Sequence, residues 1–126
     1  MPRGSEHILV VEDDEGVLRL VVRMLERAGF KVSSAKGGED ALKIIREGKQ
    51  EIDLLLTDIV MAQMSGTELA MHVREAAPDV RVLFMSGYAD DMVSFTHDMI
   101  DHPDILTKPF TASRLTRKVR ETLDAT

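Results

Sequence analysis

The stretch Leu54-Leu55-Leu56-Thr57-Asp58 decides how this chain is read. Three consecutive leucines leave no polar face, which is the habit of a strand covered on both sides in a parallel sheet. The run stops at an acid and a turn follows, so Asp58 stands at the C-terminal end of its strand. In an open α/β sheet that edge is where ligands bind. Asp58 is therefore a candidate nucleophile for phosphoryl groups.

Working outward, His7–Val11 (HILVV) is a short apolar run that stops at Glu12, Asp13 and Asp14, and Arg81–Ser86 (RVLFMS) is a second one, closed by Gly87. Phe30–Ala35 alternates apolar and polar residues and reads as a strand exposed on one side. Ile52–Asp58 is the third strand, and Ile105–Thr107 is a short fifth one running into Lys108-Pro109. Between them the apolar spacing predicts helices over Val17–Ala28 (ended by Gly29) and Glu39–Glu47 (ended by Gly48). Ser65-Gly66-Thr67-Glu68 has the form of a capping box, so a third helix starts there and runs to about Ala77. Asp90–Ile100 is a loosely periodic fourth helix, and Thr111–Leu123 the last.

Five strands alternating with five helices imply a doubly wound α/β fold with right-handed crossovers. The strands that are apolar throughout belong at the centre, and the half-polar second and very short fifth at the edges. The order 2-1-3-4-5 satisfies this and puts the topological switch between strands one and three. The acids after Val11 then meet Asp58, with Ser86 and Lys108 arriving from strands four and five.

With 126 residues and a net charge of -6, the chain is one domain whose acidity argues against sequence-independent nucleic-acid binding. The absence of cysteine excludes disulfides, thiolate metal sites and Cys nucleophiles, and fits a reducing cytoplasm. No apolar stretch reaches the length of a membrane span, so no direct membrane contact is expected. Residues 1–6 read as a leader or linker, and 7–126 as the folded domain. His7, His72, His97 and His102 are scattered and lack metal-ligand company. Arg114, Arg117, Lys118 and Arg120 read as a solvated helix face. Met61 and Met64 lie near the site, where gap-filling is the default reading.

Converging carboxylates repel one another unless a cation sits among them or one stays protonated. Mg²⁺, with Mn²⁺ as an alternate, is the natural guest for hard oxygen ligands. A carboxylate can attack a phosphoryl group to give an aspartyl phosphate, and catalysis then consists of positioning and neutralising charge. Lys108, the Ser86 hydroxyl and backbone N–H groups after Asp58 could each meet one oxygen.

ILVVEDD, LLLTD, VLFMSG and ILTKPF, in this order and each at a strand end, resemble the receiver domain of two-component response regulators. The resemblance covers about His7 to Leu123 and implies a flavodoxin-like (βα)5 receiver. It further implies that Asp58 accepts a phosphoryl group from a histidine kinase or histidine phosphotransfer domain. Asp13 and Asp58 would ligate Mg²⁺ directly, Glu12 through water and Val60 through its backbone carbonyl. Ser86 and Lys108 would engage the phosphoryl group, and the Lys108-Pro109 bond would be cis. Asp14 is peripheral in this scheme.

Two positions depart from the family pattern: Ala62 stands where a proline is common, and Ile105 where an aromatic switch residue is common. Val60 and Tyr88 offer attacking water little help, which predicts a slowly hydrolysed aspartyl phosphate. The surface of the fourth helix, fifth strand and fifth helix is the expected output face, and a weak homodimer through it is one further partner expectation. The chain is similar to receivers at the C-terminus of hybrid histidine kinases, so a cytoplasmic location, alone or in a membrane sensor, is expected. As an isolated domain its enzymatic repertoire would be its own phosphorylation and dephosphorylation. The rivals are a small Mg²⁺-dependent phosphohydrolase, which would want a second acid where Val60 stands, and a degenerate receiver acting only as an interaction domain.

Overall fold

The computed structural model describes residues 6–86, 105–108 and 110–124. The elements are β1 (His7–Val11), α1 (Glu15–Arg27), β2 (Lys31–Ala35), α2 (Gly38–Glu47), β3 (Leu54–Asp58), α3 (Gly66–Ala76), β4 (Arg81–Ser86), β5 (Ile105–Thr107) and α4 (Ala112–Asp124). α4 is the last helix of the sequence expectation. The expected helix over Asp90–Ile100, Gly87, Tyr88, Pro109 with the cis bond expected before it, and the leader Met1–Ser5 lie outside the described residues.

All five strands are parallel, in the order β2-β1-β3-β4-β5. β3 is buried along its whole length, as the leucine run requires, and β2 and β5 take the edges. Because side chains alternate along a strand, the sheet feeds two cores. Leu9, Val11, Leu55, Val82 and Phe84 pack beneath α2 and α3 with Ala41, Leu42, Leu69 and Val73. Ile8, Val10, Leu54, Leu56, Leu83, Met85 and Leu106 face the other way, onto Leu18, Val21 and Leu25 of α1 and Leu115 and Val119 of α4.

Element ends follow local chemistry. Asp14 is the N-cap of α1, its carboxylate accepting the Val17 N–H at 3.1 Å. At the other end Gly29 takes φ 99°, its N–H bonds Glu26 O at 3.0 Å, and the Phe30 N–H reaches Leu25 O at 3.2 Å. That is a Schellman motif, and Phe30 and Leu25 share the core beneath it. Phe30 therefore belongs to the helix stop, and β2 begins one residue later than its alternation suggests. β3 likewise begins at Leu54, two residues later than expected, because Asp53 turns its carboxylate to the His7 N–H at 2.9 Å. The capping box at Ser65 and Glu68 forms as read.

One charge departs from the sequence reading. Arg120 is only partly exposed and is held by partners: its guanidinium bonds both oxygens of Glu6, at 3.2 and 2.6 Å, and also Asp124 at 2.8 Å. Those partners raise the Arg120 pKa further, and the Arg120 hydrogen bond holds Glu6 below its usual range. Glu6, grouped with the leader by the sequence, is thus tied to α4.

Candidate functional site

The C-terminal ends of β1, β3, β4 and β5 deliver the chemistry to one rim. Glu12 continues the β1 ladder by donating its N–H to Ala35 O at 3.2 Å, and Asp13 follows it into the loop. Asp58 is the last residue of β3, in register with Met85, and the Ile59 N–H bonds Met85 O at 3.0 Å. Lys108 lies one residue past β5, its N–H on the Ser86 carbonyl at 2.7 Å. Glu12, Asp58 and Lys108 are thus fixed by main-chain pairing that does not depend on their own side chains.

Lys108 Nζ sits 2.9 Å from Glu12 Oε1 and 3.3 Å from Asp58 Oδ2. Glu12 is almost wholly buried, and its second oxygen accepts the Asp14 N–H at 3.1 Å. Glu12, Asp58 and Lys108 are therefore paired with one another, which a buried carboxylate needs. One carboxylate oxygen from each of Glu12, Asp13 and Asp58 can be chosen so that all three lie within 4.8 Å of one another. Such an all-oxygen set suits a hard divalent cation, and the residues present fit one.

Burial, and then the charge of Glu12, push the Asp58 pKa up to about 6, although Lys108 pulls the other way. Asp58 is therefore largely ionised at neutral pH. Burial works against the Lys108 charge, but the Glu12 hydrogen bond and the charges of Asp58 and Glu12 outweigh it, so Lys108 titrates above its ordinary value. Ser86 ends β4 fully buried, while Val60, two residues past Asp58, exposes its side chain at the rim. Ile105 is half-buried against the core under α2 and α3.

The sequence matches the family described as "Response regulator receiver domain" over residues 8–120. The chain belongs to this receiver family. As a receiver it is 36% identical over 121 residues to the sensor kinase CckA of Brucella abortus (strain 2308), which covers 96% of this chain but only 13% of that protein. It is 35% identical over 120 residues to the response regulator receiver protein CpdR of the same organism, covering 95% of this chain and 98% of that one. Among solved structures, a response regulator receiver protein from Sinorhizobium medicae WSM419 superposes with a TM-score of 0.82 at 30% identity, covering 96% of each chain. The receiver domain of the hybrid histidine kinase CckA superposes with a TM-score of 0.75 at 28% identity, over 94% of this chain and 99% of that one.

Three features of this receiver escaped the sequence reading. Lys108 bridges Glu12 as well as Asp58. The Ala62 N–H bonds Asp13 Oδ2 at 3.2 Å. And a Cβ on Gly66 would run into the carbonyl oxygen of Asp58, so α3 starts directly against the site. Only the last had a sequence signal: a glycine at the first position of a capped helix is a poor helix former and needs a steric reason. Among the described residues no helix is long and apolar enough to cross a membrane.

Proposed function

We propose that this receiver is a phosphoacceptor switch of a two-component phosphorelay, with Asp58 as the residue phosphorylated. The observation that carries the reading is the Lys108 ammonium held between the carboxylates of Glu12 and Asp58 at the sheet's switch point. In this reading one Asp58 oxygen attacks the phosphorus of a phosphohistidine. The O–P bond forms as the P–N bond breaks, and the imidazole leaves neutral, keeping the proton already on its other ring nitrogen. Negative charge spreads over the three equatorial oxygens as the group passes, so positioned cations and donors matter more than bond-making groups.

Lys108 neutralises one of those oxygens and the Ser86 hydroxyl donates to another. Burial keeps the Asp58 carboxylate poorly hydrated, and its close partners hold it in place. Asp13 and Asp58 would hold Mg²⁺ or Mn²⁺ directly, Glu12 through water and Val60 through its carbonyl. The ion supplies charge neutralisation between the acids and the incoming phosphoryl group. The donor is a histidine kinase or histidine phosphotransfer domain, which the likeness to CckA supports. Phosphorylation then biases a two-state equilibrium of the partner surface.

Mass measurement after incubation with a small acyl phosphate and Mg²⁺ tests this. Wild type is expected to gain one phosphoryl group, Asp58→Asn none, and neither to turn over a generic phosphate ester. Equal labelling of both proteins, or steady ester turnover, would contradict it.

A further inference from the structure

Ala62 lies in the turn between β3 and α3, and both of its backbone groups are engaged. Its N–H donates to Asp13 Oδ2 at 3.2 Å, across 49 positions of sequence. Its carbonyl accepts the Met64 N–H at 2.8 Å, around Gln63 at φ 71°. A hydrogen bond spanning two residues with a positive φ between them is a γ-turn of the strained kind, and Gln63 is the one non-glycine residue with positive φ among those described. The turn is pinned from both sides. Met64 packs tightly on Gly38 at the start of α2, leaving no room there for a Cβ. The Gly66 N–H bonds Ile59 O at 2.8 Å. The Ala62 N–H therefore has a fixed position that Asp13 does not create.

The two acids after β1 differ in how they are held. Glu12 is buried and clamped by Lys108 and the Asp14 N–H. Asp13 is exposed, so its rotamer is not set by packing, and the Ala62 N–H turns its carboxylate toward Glu12 and Asp58. A carboxylate has about four lone-pair sites, so one N–H leaves room for a cation.

We propose that the Ala62 backbone N–H is the positioning group for Asp13, holding its carboxylate ready for the divalent ion. This rests on the metal reading above. Any residue with an N–H serves at position 62, whereas proline, which has none, does not.

The test has two arms. Without metal, the Ala62 amide is expected to exchange its hydrogen several-fold more slowly in wild type than in Asp13→Ala, measured by nuclear magnetic resonance. Equal rates would overturn the latch. With metal, calorimetric titration of Mg²⁺ is expected to show Ala62→Pro binding about fivefold more weakly than wild type, the scale of one net hydrogen bond. Ala62→Gly, which keeps the N–H, is expected to bind within about twofold of wild type. Wild-type affinity in Ala62→Pro, or equal loss in both variants, would overturn the positioning role. Absence of Mg²⁺ binding by wild type would overturn the metal reading and the affinity claim with it, while the metal-free arm separately decides the hydrogen bond.

Discussion

At the residue scale, Asp58 is held at a cost. Its proton binds more tightly in the folded chain, with the pKa raised from 3.8 to about 6, chiefly by burial. Folding therefore takes up protons across that interval, and stability falls as pH rises through it. Asp58→Asn removes the titration, so without divalent ions it is expected to be about 2 kcal/mol more stable than wild type above pH ~7 and no more stable near pH ~4. Urea melts at the two pH values check this; a constant difference would place its origin elsewhere. Val60, exposed beside Asp58, has no group to orient water. The Asp58 phosphoryl group is expected to decay over minutes or longer, and several-fold faster in Val60→Asn, when followed by loss of label in Mg²⁺.

At the element scale the strand ends carry the site, and this is the part the sequence made legible. A leucine run ending in an acid, and three other apolar runs ending in Glu12-Asp13, Ser86 and Lys108, suffice to converge these residues once the strand order is known. Much of what stayed hidden depends on backbone atoms. No residue type at position 62 signals an N–H aimed at Asp13, and the starts of β2 and β3 shifted because Phe30 bonds back to α1 and the Asp53 carboxylate takes the His7 N–H. Gly66 carries the sharpest steric demand. Gly66→Ala drives a methyl into the Asp58 carbonyl oxygen, so it is expected to cost about 2–3 kcal/mol by thermal melting despite alanine's better helix propensity. An unchanged melting temperature would mean that α3 can back away freely.

At the scale of the whole molecule, two cores clamp one sheet, and the site sits on its rim at the C-terminal ends of the neighbouring strands β1 and β3. Its two ends are tied by Glu6 and Arg120 at 2.6 Å. Both side chains are partly exposed, so Arg120→Ala is expected to cost only about 0.5–1 kcal/mol. The loss should shrink in about 1 M salt, where surface pairs are screened; a salt-independent loss in denaturant melts would assign it to packing of the Arg120 stem instead. The chain spans nearly all of one curated relative, CpdR, and about an eighth of another, the sensor kinase CckA. The same body thus occurs in proteins of different length.

The most direct test of that account is chemical. An acyl phosphate is reduced by borohydride, whereas a free carboxylate is not, so an aspartyl phosphate is converted to homoserine in place. After incubation with a small acyl phosphate and Mg²⁺, peptide mapping is expected to find homoserine at position 58 and intact acids at Glu12, Asp13 and Asp14. Homoserine at another acid, or at none in protein that has gained the phosphoryl mass, would contradict the claim that Asp58 is the acceptor.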